Sequence, residues 1–484
     1  MKHLYTLWAT LLLLPTLPAS AADVQEWFRL SLNDIPAGWQ HLVETSAGDL
    51  RTFANVEEMR IGRGGTEVKI RATTVWVDRN DGTPVSMSWT QEMGGEPVVT
   101  TWTFSETAVD VLVEQGARTS KQQVPAPEGI WLTPQAAKSY LQKRAESGAT
   151  EITFRTIMPD LGLQPVTQTW ALVGPEALNI LDRPRKVTRW KVATEDLPVE
   201  MNVWVSTDWR SVRTTMKAPF GTISSTMTDQ ATAQSSSTGP VPELFVSLFI
   251  YPTGTLGDQM TAKRARMLLT TKDGSVLTLP ESGGQRVVQR TDAGLTLEVS
   301  SNGSSAATDA DRSNQSFREA SAMINSDDEA IVALRDKSLA SMPADASAAT
   351  QAEALRTFVN GHISSKGLST AFATASDTAR SRTGDCSEHG VLLAAMLRSA
   401  GIPARVASGL VWIDGVNAFG WHMWTQAMID GRWVDLDATL PVAFTPGHVL
   451  VGTSAMNDGD GQRELIGLLG LLGNLDIEIV KVDR

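Results

Sequence analysis

The stretch that decides the fold reads TGDCSEHGVLLAAMLRSAGIP and spans residues 383–403. Asp385 is a favourable helix N-cap, and Glu388 three residues later completes a capping-box pattern. An apolar run then continues the helix, and Gly401, followed closely by a proline, predicts where it ends. The helix therefore begins at Cys386.

Cys386 is the only cysteine in this chain of 484 residues. At the first position of a helix, a thiolate faces unpaired backbone N–H groups and the positive end of the helix dipole, which stabilise the charged form. A lone cysteine is by default a buried, inert residue, and a structural one would sit more naturally within the apolar run. The helix-terminal position favours a nucleophile instead.

Strand-like segments follow Pro403, and two of them flank Asp-Gly at residues 430–431. Asp-Gly between such segments is a strong signal for a two-residue hairpin turn, which fixes the pairing of the strands. Trp424 then faces Asp437, and His422 faces Thr439.

His422 and Asp437 are therefore predicted to be diagonal neighbours on one face of the sheet, within side-chain reach. Asp435 shares that face but lies one diagonal further away. Thiol catalysis on an acyl carbon needs a nucleophile, a histidine that moves its proton and a group that orients the ring. The pattern predicts Cys386, His422 and Asp437 in these three roles.

These segments resemble the bacterial transglutaminase-like superfamily over about residues 350 to 445. The resemblance implies a papain-like core and places the family's Cys-His-Asp triad on Cys386, His422 and Asp437. Ala438 is a departure, since many relatives have proline after the aspartate, but it leaves the triad intact. The family includes cross-linking acyl transferases, peptidases, amidases and inactive relatives. The resemblance rests on residues 384–389 (GDCSEH), 398–405 (RSAGIPAR), 422–424 (HMW) and 433–439 (WVDLDAT).

The length predicts about three domains. Alternating residues and turn signals predict an antiparallel β-rich domain over residues 23–234, in which the recurring tryptophans are more typical of packing than of a binding surface. A small β domain is predicted over 241–300, and the catalytic domain over 307–484. The fold class is thus α+β, with the papain-like transglutaminase core at the C-terminus and antiparallel β-rich domains before it.

Residues 1–22 read as a secretory signal peptide. Lys2 and His3 give a basic start, an apolar run follows, and Ala19-Ser20-Ala21 fits the small-residue cleavage pattern. The run is too short to span a bilayer. We therefore expect a periplasmic or secreted protein, in which a single cysteine allows no intramolecular disulfide.

The formal net charge is −12, and the chain has no long run of lysine and arginine. Such a chain is a poor candidate for binding nucleic acid or anionic membrane surfaces. We expect a protein or peptide substrate and no cofactor.

Three other histidines need an interpretation. His389 lies on the same helix face as Cys386. It is a candidate second base or metal ligand, although a packed, hydrogen-bonded helix residue is more typical. A zinc site of Cys386, His389, His422 and Asp437 has suitable residue types, but capping and hairpin register already explain three of the four. His362 and His448 have no predicted partner and are expected to be structural or solvent-facing.

The expected function is an exported thiol enzyme that acts on amide bonds, as a peptidase or amidase or as a protein-glutamine acyl transferase, through an acyl-enzyme. The alternative is a catalytically inactive periplasmic binding or scaffold protein that uses its β domains. An intact triad argues for the enzyme.

Overall fold

The computed structural model describes residues 24–484 except 196, 198, 245, 293, 368–371 and 459–469. The predicted signal peptide lies outside the described residues. Within the described ranges, no helix is both long and apolar enough to cross a membrane.

The N-terminal half is one large antiparallel sheet, in which β1–β8 form a meander, β9–β14 form a second meander, and β14 pairs with β1 to join the two. The β3–β4 turn shows the local cause of such pairing, since Gly64 and Gly65 have φ of 58° and 87°, as a two-residue type I′ turn requires. The strands are β1 (Val24–Leu32), β2 (Ile35–Ala47), β3 (Leu50–Arg63), β4 (Thr66–Arg79), β5 (Pro84–Glu92), β6 (Val98–Phe104), β7 (Ala108–Gln115), β8 (Arg118–Pro125), β9 (Glu151–Thr156), β10 (Val166–Ile180), β11 (Arg183–Thr194), β12 (Glu200–Ser206), β13 (Ser211–Ala218) and β14 (Gly221–Thr228).

Helix α1 (Pro134–Glu146) connects the two meanders. Thr133 caps it by accepting a hydrogen bond from Ala136 N, and proline occupies the first turn, where no backbone donor is needed. Its buried side chains pack on the sheet beside Trp190, which is 2% exposed. The packing interpretation of the tryptophans holds there and for Trp76 and Trp102, which are also buried.

A smaller antiparallel sheet has the order β16-β17-β15-β23. Its strands are β15 (Arg264–Thr271), β16 (Gln285–Thr291), β17 (Gly294–Ser300) and β23 (Leu475–Asp483). The last strand of the chain thus pairs with a strand some two hundred residues earlier, a pairing that the sequence did not predict. Long-range pairing of this kind leaves no local signal, because no turn connects the two strands.

The region that carries Cys386, His422 and Asp437 is built on a third antiparallel sheet, with the order β18-β21-β20-β19-β22. Its strands are β18 (Ser304–Ala306), β19 (Ala404–Ile413), β20 (Ala418–Ile429), β21 (Arg432–Leu436) and β22 (His448–Ser454). Among the described residues, the α-helices after α1 are α2 (Gln230–Ser235), α3 (Asp309–Ser313), α4 (Glu329–Leu339), α5 (Ala348–His362), α6 (Ala375–Ser381) and α7 (Cys386–Ser399).

This third sheet is covered on both sides. One apolar cluster joins it to α4, α5, α6 and α7, and a second joins it to the smaller sheet. Helix α7 is the central one, and its residues Val391 to Leu397 are fully buried. Burial of every face explains why this helix is apolar all round over these residues.

Gly409 allows the close approach of β19 and β22. A Cβ at this position would lie 1.9 Å from the carbonyl oxygen of Val449, a distance that no side chain tolerates. The register also shifts between Ser408 and Gly409, which marks a β-bulge. The start of β22, with His448, is thereby brought next to the strand that carries His422.

Candidate active site

The site begins at the N-terminus of α7, where Cys386 is the first helical residue, as the sequence predicted. Asp385 caps the helix, with its carboxylate accepting from Ser387 N at 3.0 Å. The capping box is complete, because the Glu388 carboxylate accepts from Asp385 N at 2.8 Å. The half-buried Cys386 is thus held at a helix start with fixed geometry.

Glu388 also ties the helix to the preceding loop, because it accepts from Ala373 N at 2.8 Å. Burial, with the nearby charge of Asp385, raises the pKa of Glu388 to about 7. His389 is buried, and its Nδ1 donates to the carbonyl oxygen of Asp385 at 2.5 Å, while burial lowers its pKa. A hydrogen-bonded helix residue describes His389 better than a second base does.

The hairpin of β20 and β21 has the predicted register. Ile429 pairs with Arg432, and Thr425 pairs with Leu436. Asp430 and Gly431 have φ of 49° and 71°, the left-handed values of a two-residue type I′ turn. Strand β21 ends one residue before Asp437, so this aspartate stands at the point where the chain leaves the sheet.

The structure brings His422 and Asp437 together. His422 Nε2 lies 2.8 Å from Asp437 Oδ2, and the His422 side chain also forms a hydrogen bond with Cys386. Burial alone would lower the pKa of His422, but the Asp437 charge and hydrogen bond, together with Cys386, raise it to about 10. A proton on this ring is therefore held strongly at neutral pH.

Asp437 is fully buried and fully hydrogen-bonded. Its Oδ1 accepts from the backbone N and the hydroxyl of Thr439, at 2.7 and 2.6 Å. Burial acts to raise the pKa of Asp437, but His422 and His448 outweigh it and hold that pKa well below the usual range. The residue is thus a carboxylate that fixes the orientation of His422.

Asp435 has a different role. Its Oδ1 accepts from the side chains of Trp424 and Gln426, both at 2.8 Å, and its Oδ2 accepts from Gly284 N at 2.7 Å. Gly284 precedes β16, so Asp435 connects the catalytic sheet to the smaller sheet. The sequence was right to prefer Asp437 as the partner of His422.

Sequence reasoning missed His448. Of the two expectations, structural or solvent-facing, the structural one holds, because the side chain is fully buried, but the predicted lack of a partner is wrong, since its Nε2 lies 3.0 Å from Asp437 Oδ2. Two histidines thus share one carboxylate oxygen, with their ring centroids 5.6 Å apart. Nothing in the local sequence indicated this contact, which depends on the bulge at Gly409. His362, by contrast, bonds the carbonyl oxygen of Ala379 at 2.9 Å, away from the site.

The residue types of His422, Asp437 and His448 suit zinc, and their ligand atoms all lie within 4.8 Å of one another. The set differs from the one considered from the sequence, since His448 replaces Cys386 and His389. Direct hydrogen bonds from both histidines to Asp437 satisfy these atoms without an ion. The arrangement therefore fits proton transfer at His422.

The large sheet contributes to the surroundings of the nucleophile. Arg63, at the end of β3, forms an ion pair with Asp385, with 2.6 Å between guanidinium nitrogen and Oδ2. Arg63 also lines a cavity of about 260 Å³ between the large sheet and the catalytic region. Trp89 forms part of the apolar wall on the sheet side, and Met323 and Phe372 form part of the opposite wall.

Comparison with known families gives one match, since the model of the transglutaminase-like superfamily matches residues 337–438. That range contains Cys386, His422 and Asp437, but neither His448 nor the large sheet. No curated protein matches the sequence.

Two solved structures are similar to parts of the chain. One is a candidate cysteine protease from Cytophaga hutchinsonii, with 14% identity and a TM-score of 0.31, covering 46% of this chain and 89% of its own. The other is a candidate protease from Parabacteroides distasonis, with 11% identity and a TM-score of 0.18, covering 75% of this chain and 68% of its own. At these TM-scores neither similarity bears on the mechanism. The family match stands independently of them, and residues 337–438 of this chain are a transglutaminase-like domain.

Proposed function

We propose that this chain is an exported thiol enzyme that cleaves or exchanges amide bonds in protein or peptide substrates through an acyl-enzyme at Cys386. One arrangement carries the proposal: His422 forms hydrogen bonds with both Asp437 and Cys386. A histidine held in this way can take the thiol proton and later return it. The transglutaminase-like match of residues 337–438 supports the same chemistry.

The reaction has two halves. The Cys386 thiolate attacks the amide carbon, a C–S bond forms, and the carbonyl electron pair moves to oxygen. The C–N bond then breaks as the His422 imidazolium gives its proton to the leaving amine. In the second half, water or an amine attacks the acyl carbon and forms a C–O or C–N bond while His422 takes its proton. The C–S bond then breaks, and the Cys386 thiolate and His422 imidazolium are restored.

Asp437 holds the His422 ring through both halves and stabilises its positive charge. The backbone N–H of Cys386, at the start of α7, is the natural donor to the oxyanion. We favour hydrolysis over amine transfer, because water is the default acceptor unless a site excludes it.

The cavity beside Arg63 is where we place an apolar side chain of the substrate. Aromatic and aliphatic groups form most of its lining, with polar residues such as Gln91 and Asp458 among them, as in many side-chain pockets. Its wall residue Arg63 pairs with Asp385, the residue before Cys386, so the two sites share a neighbour. Peptides with leucine or phenylalanine near the scissile amide should then be preferred to peptides with aspartate or lysine there, and Trp89→Ala should weaken that preference.

An acyl-trapping experiment tests the proposed chemistry. Purified wild-type protein is incubated with a peptide or envelope-protein mixture, and acyl groups on Cys386 are identified by mass spectrometry. We expect thioester adducts in the wild type and none in Cys386→Ser. His362→Gln, a histidine substitution that touches none of Cys386, His422 and Asp437, is the matched control and should behave as the wild type. No adduct and no turnover in folded wild type would favour the inactive binding protein instead.

A further inference from the structure

The hydrogen-bond partners of His448 define which of its ring nitrogens carry a proton. Gln259 Nε2 donates to the carbonyl oxygen of Trp412 at 2.7 Å and to an Asp414 carboxylate oxygen at 3.3 Å. Both partners can only accept, so the amide orientation is fixed and Gln259 Oε1 is an acceptor. Thr445 Oγ1 lies 2.7 Å from that Oε1, and its single hydroxyl proton is therefore used there.

Thr445 thus has no proton left for His448. Its carbonyl oxygen lies 2.9 Å from His448 Nδ1, and its hydroxyl oxygen lies 3.1 Å from the same nitrogen. Both oxygens act as acceptors in this arrangement, so Nδ1 carries a proton and donates it. The two Thr445 oxygens therefore exclude the tautomer in which Nδ1 is unprotonated.

The other nitrogen also faces an acceptor. His448 Nε2 lies 3.0 Å from Oδ2 of Asp437, which is ionised because its pKa is held well below the usual range. A carboxylate accepts only, so Nε2 donates as well. Both ring nitrogens then carry protons, and a ring with two protons is an imidazolium.

We infer that His448 is a positioning residue of the proposed catalytic site. It is a buried imidazolium that holds the Asp437 carboxylate by a hydrogen bond and whose positive charge opposes that of protonated His422. The inference rests on the proposed function of Cys386 and His422. With His448 and Thr439 in place, all the acceptor positions of Asp437 are occupied, so the carboxylate cannot rotate away from His422.

The charge of His448 acts on His422 as well. The two rings lie 5.6 Å apart, and a like charge at such a distance opposes protonation of the neighbour. His448 therefore limits how strongly Asp437 holds the proton on His422, which must be given up to the leaving amine. The other charged or titratable groups around this pair are Cys386 on α7, His389 one turn along that helix and Asp435 on β21. Two cations also lie nearby, since Arg356 donates to the Asp437 carbonyl oxygen and Lys366 to the Thr439 carbonyl oxygen.

Two substitutions separate the hydrogen bond that His448 donates to Asp437 from the positive charge of its ring. His448→Gln keeps a neutral donor towards Asp437 and removes the charge, whereas His448→Phe removes both and keeps the ring that stacks on Phe444 with centroids 4.4 Å apart. His362→Gln is the matched control. The readouts are the pH profile of Cys386 alkylation, kcat and KM on the best peptide, and histidine ¹⁵N NMR of the full chain.

We expect alkylation of His448→Gln to persist to a pH about one unit lower than in the wild type, because loss of a like charge stabilises the thiolate–imidazolium pair. Its kcat should fall about tenfold with KM little changed, since a more basic His422 releases its proton less readily. His448→Phe should show the same shift of the alkylation profile and a larger fall in kcat. His362→Gln should change neither.

In the wild-type NMR spectrum we expect a ring with both nitrogens protonated at pH 8 that is absent from His448→Gln. A neutral His448 ring would overturn the inference. So would a pH profile of Cys386 alkylation in His448→Gln that is the same as in the wild type after correction for the fraction of folded protein. The NMR readout needs no turnover and no folded Phe variant. If wild-type Cys386 neither alkylates at low pH nor turns over substrate, the proposed function fails, while the protonation of His448 is still decided by the spectrum.

Discussion

Arg63 of the large β-sheet forms an ion pair with Asp385, the residue immediately before Cys386. The two side chains are only 16% and 8% exposed, so the pair is shielded from solvent. Asp385 at the same time caps α7 through its other carboxylate oxygen. A residue more than three hundred positions away thus helps to fix the start of the catalytic helix.

Arg63→Ala should therefore lower both stability and turnover. Removing one partner leaves a largely buried carboxylate oxygen without its counter-ion, which costs about 1–3 kcal/mol. Urea unfolding and kcat measurements check this. Arg79→Ala is the control, since its ion pair with Asp49 is 51% and 62% exposed and should contribute little. Equal effects of the two substitutions would contradict a role of the large sheet at the site.

The two buried aspartates should respond differently to the same change. Asp437→Asn leaves His422 poorly oriented and should reduce kcat by about 10³- to 10⁴-fold. Asp435→Asn should have a milder effect on turnover but lower the stability, because the amide nitrogen that replaces one carboxylate oxygen cannot accept. Either the hydrogen bonds from Trp424 and Gln426 or the one from Gly284 is then lost. Steady-state kinetics combined with urea unfolding would show the difference, and equal losses of kcat in folded protein would refute the assignment.

Because Cys386 is the only thiol in the chain, its alkylation tests directly whether it is an activated nucleophile. Paired with His422 at a helix start, Cys386 should alkylate with iodoacetamide at about pH 6, where a free thiol, which titrates near 8.5, is almost unreactive. His422→Ala should move the profile towards that of a free thiol, and the helix terminus should retain part of the effect. His362→Ala serves as the control. Reaction of the folded wild type only above about pH 8, or no change in His422→Ala, would argue against an activated nucleophile.

The His422–Asp437 pair should make stability depend on pH in a defined window. The folded-state pKa of His422 is about 10, above its ordinary 6.5, so the contribution of the pair is complete below about pH 6.5 and is lost as the pH rises through 10. The pKa of Asp437 lies well below the ordinary 3.8, so on the acid side the contribution is lost only below about pH 3.8. The unfolding free energies of wild type and Asp437→Asn, measured by urea, should converge as the pH approaches 10. A constant difference from pH 6 to 10 would contradict the pairing.

Export is a prediction from the sequence alone. Cleavage after Ala19-Ser20-Ala21 gives a mature chain that begins near Ala22 or Asp23. N-terminal sequencing of the protein from an envelope or secreted fraction checks this. An intact Met1 in cytoplasmic protein would be the contrary result.

The sequence by itself determined the local geometry of the site. Asp385 and Glu388 defined the start of α7, because a capping box involves only residues three apart. Asp430-Gly431 defined the register of the hairpin, because a two-residue turn leaves one way to pair the strands, and that register selected Asp437 over Asp435. Both signals act over a few residues, so they can be read without knowledge of the fold.

Only the tertiary structure decided which distant groups join the site. His448 reaches Asp437 because β22 packs against β19 at the bulge of Gly409, and Arg63 reaches Asp385 because the large sheet lies against the catalytic region. The pairing of β23 with β15 is of the same kind. Such contacts are selected by the packing of whole sheets and helices, and no turn or capping pattern near these residues records them.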